Sequence, residues 1–466
     1  MTQLDHKLFK KYDIRGKASG DEARLTPEAA RAIGRSFGTY LQMVEERDTV
    51  VIGRDNRASS HSLQAAISEG LLASGCSVID IGLVATPLVY WHAVHYGDIG
   101  GVMVTGSHLP ADQNGFKLCL GARPIYGDAL HVIRRLIENG RLYTGSGRLS
   151  VDQSAYSRYV NDLGWRVKKS DGRRLKVVID AGNGMGGIFA PTLVENWGHE
   201  VVAKLYCEPD ATFPNHHPNP QEPENMVDLG AAVREHGADV GIAFDGDADR
   251  MGAVDANGDM IAADRLLALL AVDMLGRQAG AALVADVLCS QVLFDAVEAA
   301  GGYAFMAASG HSLVKEAMRD KGALIGGEMS GHIFLAEDYH GFDDGFLAAG
   351  RLLQLIAASG ASLAELDAQL PRLFSTPEYR PHCPDDQKET VIAGVAEQLR
   401  EHGEVVTVDG FRLNCENGWG ILRASNTEPV LSLRFEGQTE ADALAIKALF
   451  VDAIRAYPQV ERRVLL

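Results

Sequence analysis

The six cysteines of this 466-residue chain include no CxxC pair. Cys76, Cys119, Cys207, Cys289, Cys383 and Cys415 are scattered. No disulfide framework is implied, and free thiols in a reducing cytoplasm are the plain reading. No apolar run approaches the roughly 20 residues that a membrane span needs. The stretch from Leu266 to Leu275 is interrupted by Asp273 and is expected to be a buried helix. The opening Met-Thr-Gln-Leu-Asp-His-Lys has no apolar core, so no signal peptide is expected. Positive charge is also scarce: 44 Lys and Arg stand against 62 Asp and Glu, a formal net charge of −18. That excess excludes nucleic acid and anionic membrane as natural partners. Any anionic ligand has to be drawn in by a local basic site, against the field of the whole molecule.

What is present is length, and a recurring pattern. The chain is too long for one core, so several domains are expected. Short buried strands alternate with helices. Residues 8–16 open with an apolar strand ending at Arg15-Gly16, and Thr26-Pro27 starts a helix whose apolar face runs through Ala29, Ala30, Ile33, Phe37 and Leu41. Strands follow at Val50–Gly53 and Val78–Ile81, and a helix from Ser60. The same strand-turn-helix opening recurs at Leu175–Asp180 with Ala181–Gly187, and again at Ala282–Leu288. The spacing of Gly182 and Gly184 is neither a Walker loop nor GxGxxG, so a structural turn is expected there. His216 and His217 read as plain loop histidines. A helix from Gly345 to Ala358 stops at Gly360, Phe374–Pro377 is a linker, and a last unit carries the strand Leu431–Phe435 and a helix from Thr439 to Ala456. The expectation is an α/β protein of three similar α/β domains with mixed sheets plus a smaller C-terminal α+β domain. Their bounds are 1–150, 151–254, 255–370 and 371–466.

Four stretches carry chemistry. In the first, the apolar run Gly101–Val104 stops at Thr105-Gly106-Ser107-His108; Pro110, Asn114 and Gly115 make a loop, and Phe116–Leu120 resumes a strand. A hydroxyl is thus held on a tight turn, with His108 and Lys117 as nearby bases, which is what a nucleophilic serine needs. An ordinary turn serine is the competing reading. In the second, Asp245, Asp247 and Asp249 alternate after an apolar strand. Carboxylates this close repel unless a cation joins them, and oxygen ligands favour a hard divalent ion, Mg²⁺ or Ca²⁺. An EF-hand is excluded, because Arg250 and Ala256 stand where its glycine and glutamate belong. In the third, Gly-Gly-Glu-Met-Ser-Gly-His at 326–332 offers Glu328 and Ser330 to sugar hydroxyls, with His332 beside them and His311 and Lys315 as further basic groups. In the fourth, Arg423, Ser425, Asn426 and Thr427 form a cationic, hydroxyl-rich turn, and Arg423 offers a planar fork to phosphate.

These four stretches, in this order and covering nearly the whole chain, resemble the active-site signatures of the α-D-phosphohexomutase superfamily, nearest to its phosphomannomutase/phosphoglucomutase branch. The resemblance implies reversible transfer of phosphate between the 1 and 6 positions of a mannose or glucose phosphate, through phosphorylated Ser107 and a hexose 1,6-bisphosphate. It implies Mg²⁺ held by Asp245, Asp247, Asp249 and a phosphate on Ser107, with Arg250 beside that phosphate. Glucose or mannose 1,6-bisphosphate is the implied activator. Glu328 and Ser330 go to sugar hydroxyls, His332 to proton transfer or orientation, and the turn of Arg423, Ser425, Asn426 and Thr427 to the non-reacting phosphate. Tyr12, Arg15 and Lys117 resemble further active-site residues, Lys117 as a general acid/base. A cytoplasmic monomer or weak homo-oligomer acting on a small hexose phosphate is expected, with no nucleic acid or membrane partner. Two positions depart from the pattern: Leu109 replaces a common asparagine and Leu288 a common lysine. Alternatives are a phosphoglucosamine or phosphopentose mutase, a non-catalytic sugar-phosphate-binding relative, and a metal-dependent phosphatase.

Overall fold

The structure is a computed structural model that describes residues 4–167, 173–425, 429–461 and 464. It contains four sheets. In the first, the parallel strands Ser77–Leu83, Thr49–Arg54 and Gly100–Val104 lie side by side, and Gln113–Leu120 adds antiparallel to the last of them. The second repeats this order with Glu200–Leu205, Lys176–Asp180, Val240–Phe244 and the antiparallel Met251–Val254. The third repeats it again with Tyr303–Ala307, Ala282–Asp286, Ile325–Gly327 and the antiparallel Ile333–Leu335. Each parallel pair is joined through a helix, as parallel strands require. The fourth sheet is antiparallel throughout, from Phe374–Ser375 to Glu404–Val406, with two helices, Lys388–Leu399 and Glu440–Ile454, packed on it. Three α/β domains with mixed sheets and a C-terminal α+β domain are therefore observed as expected.

Sequence chemistry explains the elements. Thr26 accepts from the Ala29 amide and Pro27 occupies the first turn of helix Pro27–Tyr40. Thr439 and Asp442 form a capping box on helix Glu440–Ile454. Leu266–Leu275 lies inside the buried helix Ala263–Arg277. Among the described residues no helix is long and apolar enough to cross a membrane. One core joins the first three units through Trp91, Tyr159, Phe189 and Phe346; the first unit has a second core around Phe37, and the fourth has its own around Phe411, Phe435 and Phe450.

Three expectations are corrected. The expected strand over residues 8–16 runs only from Ile14, with Phe9 making an isolated bridge back to Ile14, because the Lys10 amide donates to the Asp13 carbonyl (2.8 Å) and turns the chain back. That turn buries Leu8 against Gly16, where a Cβ would meet Leu8 Cδ2 at 2.4 Å. Asn114 and Gly115 are not loop: both belong to strand Gln113–Leu120, opposite Gly16 and Arg15. The Asn114 side chain is held by the hydroxyls of Ser59 and Ser60, and Gly115 admits Ile14 at a distance no Cβ would allow. The expected linker Phe374–Pro377 begins as an edge strand, Phe374 opposite Gly437.

The turns at 182–187 and 216–217 are structural. Gly184 packs on the backbone of Gly246, and His216 Nε2 meets Asp180 at 3.1 Å.

Candidate active site

The first three chemical stretches turn between antiparallel strands, one per sheet: Gly100–Val104 and Gln113–Leu120, Val240–Phe244 and Met251–Val254, Ile325–Gly327 and Ile333–Leu335. The fourth begins at Arg423 in strand Gly418–Ala424, which pairs antiparallel with Leu431–Gly437. The repeated topology brings the first three turns together. An isolated bridge joins Arg250 to His332, the Thr86 amide donates to the Asp247 carbonyl (3.0 Å), and Gly246 approaches the Ser107 carbonyl so closely that a Cβ would lie 2.4 Å away.

Ser107 is buried and left-handed, with φ of 49°, a conformation that costs a non-glycine residue on the order of 1 kcal/mol. Arg57 holds it there. Its guanidinium donates to the carbonyls of Ser107 (2.7 Å), Leu109 (2.6 Å), Pro110 (2.6 Å) and Gln113 (3.0 Å). Gly106 leaves room for that guanidinium, which a Cβ would meet at 2.5 Å. Asp55 completes the brace, 3.2 Å from Arg57 Nε and accepting from the Gly106 amide at 3.1 Å. The Ser107 hydroxyl donates to Asp245 Oδ2 (2.7 Å) and lies 3.1 Å from His108 Nδ1. Burial, then Arg250 and Arg15, hold His108 well below the ordinary histidine range, so its imidazole is neutral.

The three aspartates are fully buried, with ligand oxygens within 4.8 Å of one another. Oδ1 of Asp247 and Oδ1 of Asp249 have no hydrogen-bond partner in this buried site. Orphaned oxygens on clustered carboxylates fit a hard divalent cation. Lys117 supplies one positive charge, with Nζ 2.7 Å from Asp247 and also bonded to Asp249. Thr86 donates to Asp247 as well. Burial and the charges of Asp247 and Asp249 push Asp245 well above the usual carboxylate range. For Asp247, burial pushes up, but Lys117, Thr86 and Asp245 together pull further the other way and the net direction is down. Lys117 shows the converse: burial lowers it, and the aspartates more than reverse that, so it is held as an ammonium.

A cleft of ≈ 620 Å³ opens above these groups. Tyr12, Arg15, His108, Arg250, His311, Glu328, Ser330 and His332 line it, as do Lys10, Lys11 and Leu109. The only carboxylates among its lining residues are Asp13 and Glu328. Against a net charge of −18, this is the local basic site the composition demands. Arg15 Nε donates to Asp13 (2.5 Å), and Arg250 Nε donates to His332 Nε2 (2.9 Å). The fourth sheet reaches the cleft through a chain of contacts: Tyr12 donates to the Ser309 carbonyl (2.8 Å), the Ser309 amide to Asp409 (3.2 Å), and Asp409 pairs with Arg423 (2.9 Å). Nε of Arg423 has no hydrogen-bond partner among the described residues. Ser425 follows the strand, which ends at Ala424, and its carbonyl accepts from Lys388 (2.9 Å); Asn426 and Thr427 lie outside the described residues.

Of the two departures, Leu109 does line the cleft, whereas Leu288 packs with Val287, Trp419 and Ile421 at the seam between the third and fourth units. The sequence reading missed Arg57, Asp55, Thr86, Asp343 and Asp409. Their only local signals were polar residues directly after a strand, as in Arg54-Asp55-Asn56-Arg57, or before a helix, as in Asp343-Asp344.

Glu328 accepts from the Gly310 amide (2.6 Å), yet burial pushes its carboxyl up to about 7. The folded state therefore binds this proton more tightly than the unfolded chain. The stability it contributes is complete below pH 4.5 and is lost as pH rises through 7. Glu328→Gln is expected to flatten this dependence, gaining up to about 3 kcal/mol on the wild type between pH 5 and 8. Unfolding midpoints at the two pH values check it; parallel curves for the two proteins would contradict it.

The comparisons with known proteins agree with this architecture. Four domain descriptions of one family match in order: phosphoglucomutase/phosphomannomutase alpha/beta/alpha domain I over residues 6–144, domain II over 155–258, domain III over 262–374 and the C-terminal domain over 380–453. The fold and the cleft define a four-domain mutase architecture, and the chain belongs to the phosphoglucomutase/phosphomannomutase family. It is 41% identical to a phosphomannomutase/phosphoglucomutase of Pseudomonas putida over 98% of each chain. It is 41% identical to a phosphoglucomutase of Neisseria gonorrhoeae over 99% of each. The crystal structure of a phosphoglucomutase/phosphomannomutase family protein from Burkholderia thailandensis superposes with a TM-score of 0.91 at 38% identity, covering 98% of this chain and 99% of that one.

Proposed function

We propose that the chain is a cytoplasmic phosphohexomutase, a monomer or weak homo-oligomer, that interconverts the 1- and 6-phosphates of mannose or glucose through phosphorylated Ser107. The observation that carries this reading is the braced Ser107 hydroxyl, bonded to Asp245 and next to His108, which lines a cationic cleft. Six free cysteines, four of them buried, suit a reducing compartment.

In the resting serine, Asp245 is placed to take the hydroxyl proton as a phosphoryl group arrives. In the reverse direction the Ser107 Oγ–P bond breaks as a sugar oxygen forms its own bond to phosphorus. Mg²⁺, when bound by Asp245, Asp247 and Asp249, would neutralise the phosphoryl oxygens. Lys117, held as an ammonium by Asp247 and Asp249, can donate a proton but not accept one, which narrows the general acid/base role to the acid half. Arg15 and Arg250 draw the anion in. Glu328 and Ser330 face sugar hydroxyls, with Tyr12 and His311 beside them. Arg423 and its turn, with Ser425, Asn426 and Thr427, take the phosphate that is not reacting. Glucose or mannose 1,6-bisphosphate then serves as activator, because it reloads Ser107.

A panel of mannose, glucose, glucosamine and ribose 1-phosphates tests this, with and without Mg²⁺ and with catalytic glucose 1,6-bisphosphate. Conversion of mannose or glucose 1-phosphate to the 6-phosphate is expected. Turnover of only the hexosamine or pentose, or release of inorganic phosphate, would overturn it. Asp247→Asn is expected to raise the Mg²⁺ needed for half-activity at least tenfold while the fold is kept, since Asp249 still pairs with Lys117. Full activity of that variant in a chelator would remove the metal from the reading.

A further inference from the structure

His332 has two ring nitrogens with opposite surroundings. Nε2 receives a hydrogen bond from Arg250 Nε at 2.9 Å, and a guanidinium N–H can only donate. Nε2 must therefore carry the lone pair. Nδ1 faces two carboxylates, 3.1 Å from Asp343 Oδ2 and 3.7 Å from Asp249 Oδ1. These three atoms, all buried, converge within 4.8 Å. Lys315 and Lys117 sit on the same two carboxylates, and although none of the three atoms has an aligned hydrogen-bond partner among the described residues, the adjacent carboxylates favour a proton on Nδ1 by charge.

Asp343 is fully buried and comes from the turn just before helix Gly345–Ser359. Its neighbour Asp344 anchors that turn, capping the helix and accepting from the hydroxyls of Tyr159 and Tyr339, each at 2.8 Å. Oδ1 of Asp343 receives Lys315 Nζ at 2.7 Å, so this carboxylate cannot turn away from His332 without releasing a buried ammonium.

Resting on the phosphoryl-transfer reading, we infer that Asp343 is a positioning residue: it fixes His332 in the Nδ1–H form, so that Nε2 accepts from Arg250 and aims that guanidinium at the Ser107–Asp245 centre. Arg250 Nε lies 3.9 Å from Asp245 Oδ2, the oxygen that accepts from the Ser107 hydroxyl. With the proton on Nε2 instead, two N–H groups would face each other and the guanidinium would swing off its bearing.

Two measurements test this. Nitrogen-15 NMR of histidine-labelled protein, with the His332 signal assigned by His332→Gln, should give a protonated Nδ1 and an unprotonated Nε2. A protonated Nε2 in the wild type would overturn the inference whatever the enzyme turns over, so its failure is separable from failure of the mutase reading. Kinetically, Asp343→Asn should lower kcat at least tenfold and change KM for the hexose phosphate less than threefold. In the His332→Gln background the same substitution should cost less than threefold in kcat, because its effect passes through His332. Equal losses in both backgrounds would mean that Asp343 serves the fold alone. If the unpaired Lys315 prevents Asp343→Asn from folding, Asp343→Asn with Lys315→Met removes the stranded charge and the same comparison is made there.

Discussion

Ser107→Ala is expected to lower mutase activity by several orders of magnitude, as when a covalent nucleophile is deleted. The substitution removes one hydroxyl from a turn that is held by other groups. Arg57 bonds the Ser107 carbonyl rather than its side chain, and Thr105 Oγ1 accepts from the Ser107 amide at 2.8 Å. The Arg250 amide still reaches Asp245 Oδ1 at 3.2 Å. The loop, the aspartates and the cleft should thus survive, and hexose phosphate should still bind, more tightly where the wild type would bring two phosphates together. The wild-type chain should carry one phosphoryl group on part of the purified molecules, rising after incubation with glucose 1,6-bisphosphate. Intact mass, peptide mapping and the rate of the alanine variant decide the matter. A near-wild-type rate, or a phosphate mapped elsewhere, would put the active site around a different residue.

The second large effect is one of stability. Arg57→Ala is expected to destabilise the protein by about 3–5 kcal/mol, the usual cost of removing one partner of a buried ion pair. Its side chain is fully buried, and Asp55 beside it is nearly so. The deletion strands the Asp55 carboxylate and leaves four backbone carbonyls without their charged donor. Hydrogen bonds to a charged group contribute roughly 1.5–3 kcal/mol each before their entropy is counted. The left-handed turn at Ser107 works against them by only about 1 kcal/mol. The brace therefore prevails by a wide margin, and without it the turn has no reason to keep its shape. Activity should fall together with stability. Urea unfolding of the first unit's signals, read beside the mutase rate, checks both; a loss below about 1 kcal/mol with an intact rate would mean that the loop holds itself.

What the sequence made legible follows the range of the interaction. The serine turn, the alternating aspartates and the caps at Thr26 and Thr439 are set by neighbours within a few residues, and each was readable from its own segment. The threefold repeat was readable because each unit opens with the same strand-turn-helix pattern. Arg57 and Asp343 were not, because their partners lie on other elements: Arg57 acts on residues 107–113, and Asp343 on His332 and Lys315. Apolar pattern alone misread Leu8 and Phe9 as strand, when the Leu8 side chain needed a reversal of the chain to be buried against Gly16. It missed the edge strand at Phe374–Ser375 for the opposite reason. Both residues are exposed, and only pairing with the far strand Leu431–Gly437 makes them a strand.

The placement of the four reactive turns, one on each sheet, has a thermodynamic consequence. The fourth unit keeps a core of its own, around Phe411, Phe435 and Phe450, and meets the third at a smaller seam around Val287, Trp419 and Ile421. On the proposed function, a hexose phosphate gripped by Ser107, Arg250, Glu328 and Arg423 together would bind only when all four sheets are folded. Its binding energy, about 2.7 kcal/mol at a hundredfold excess over Kd, is then shared by the whole chain. Substrate thus acts as a fastener between the fourth unit and the three that share a core, turning two stabilities into one.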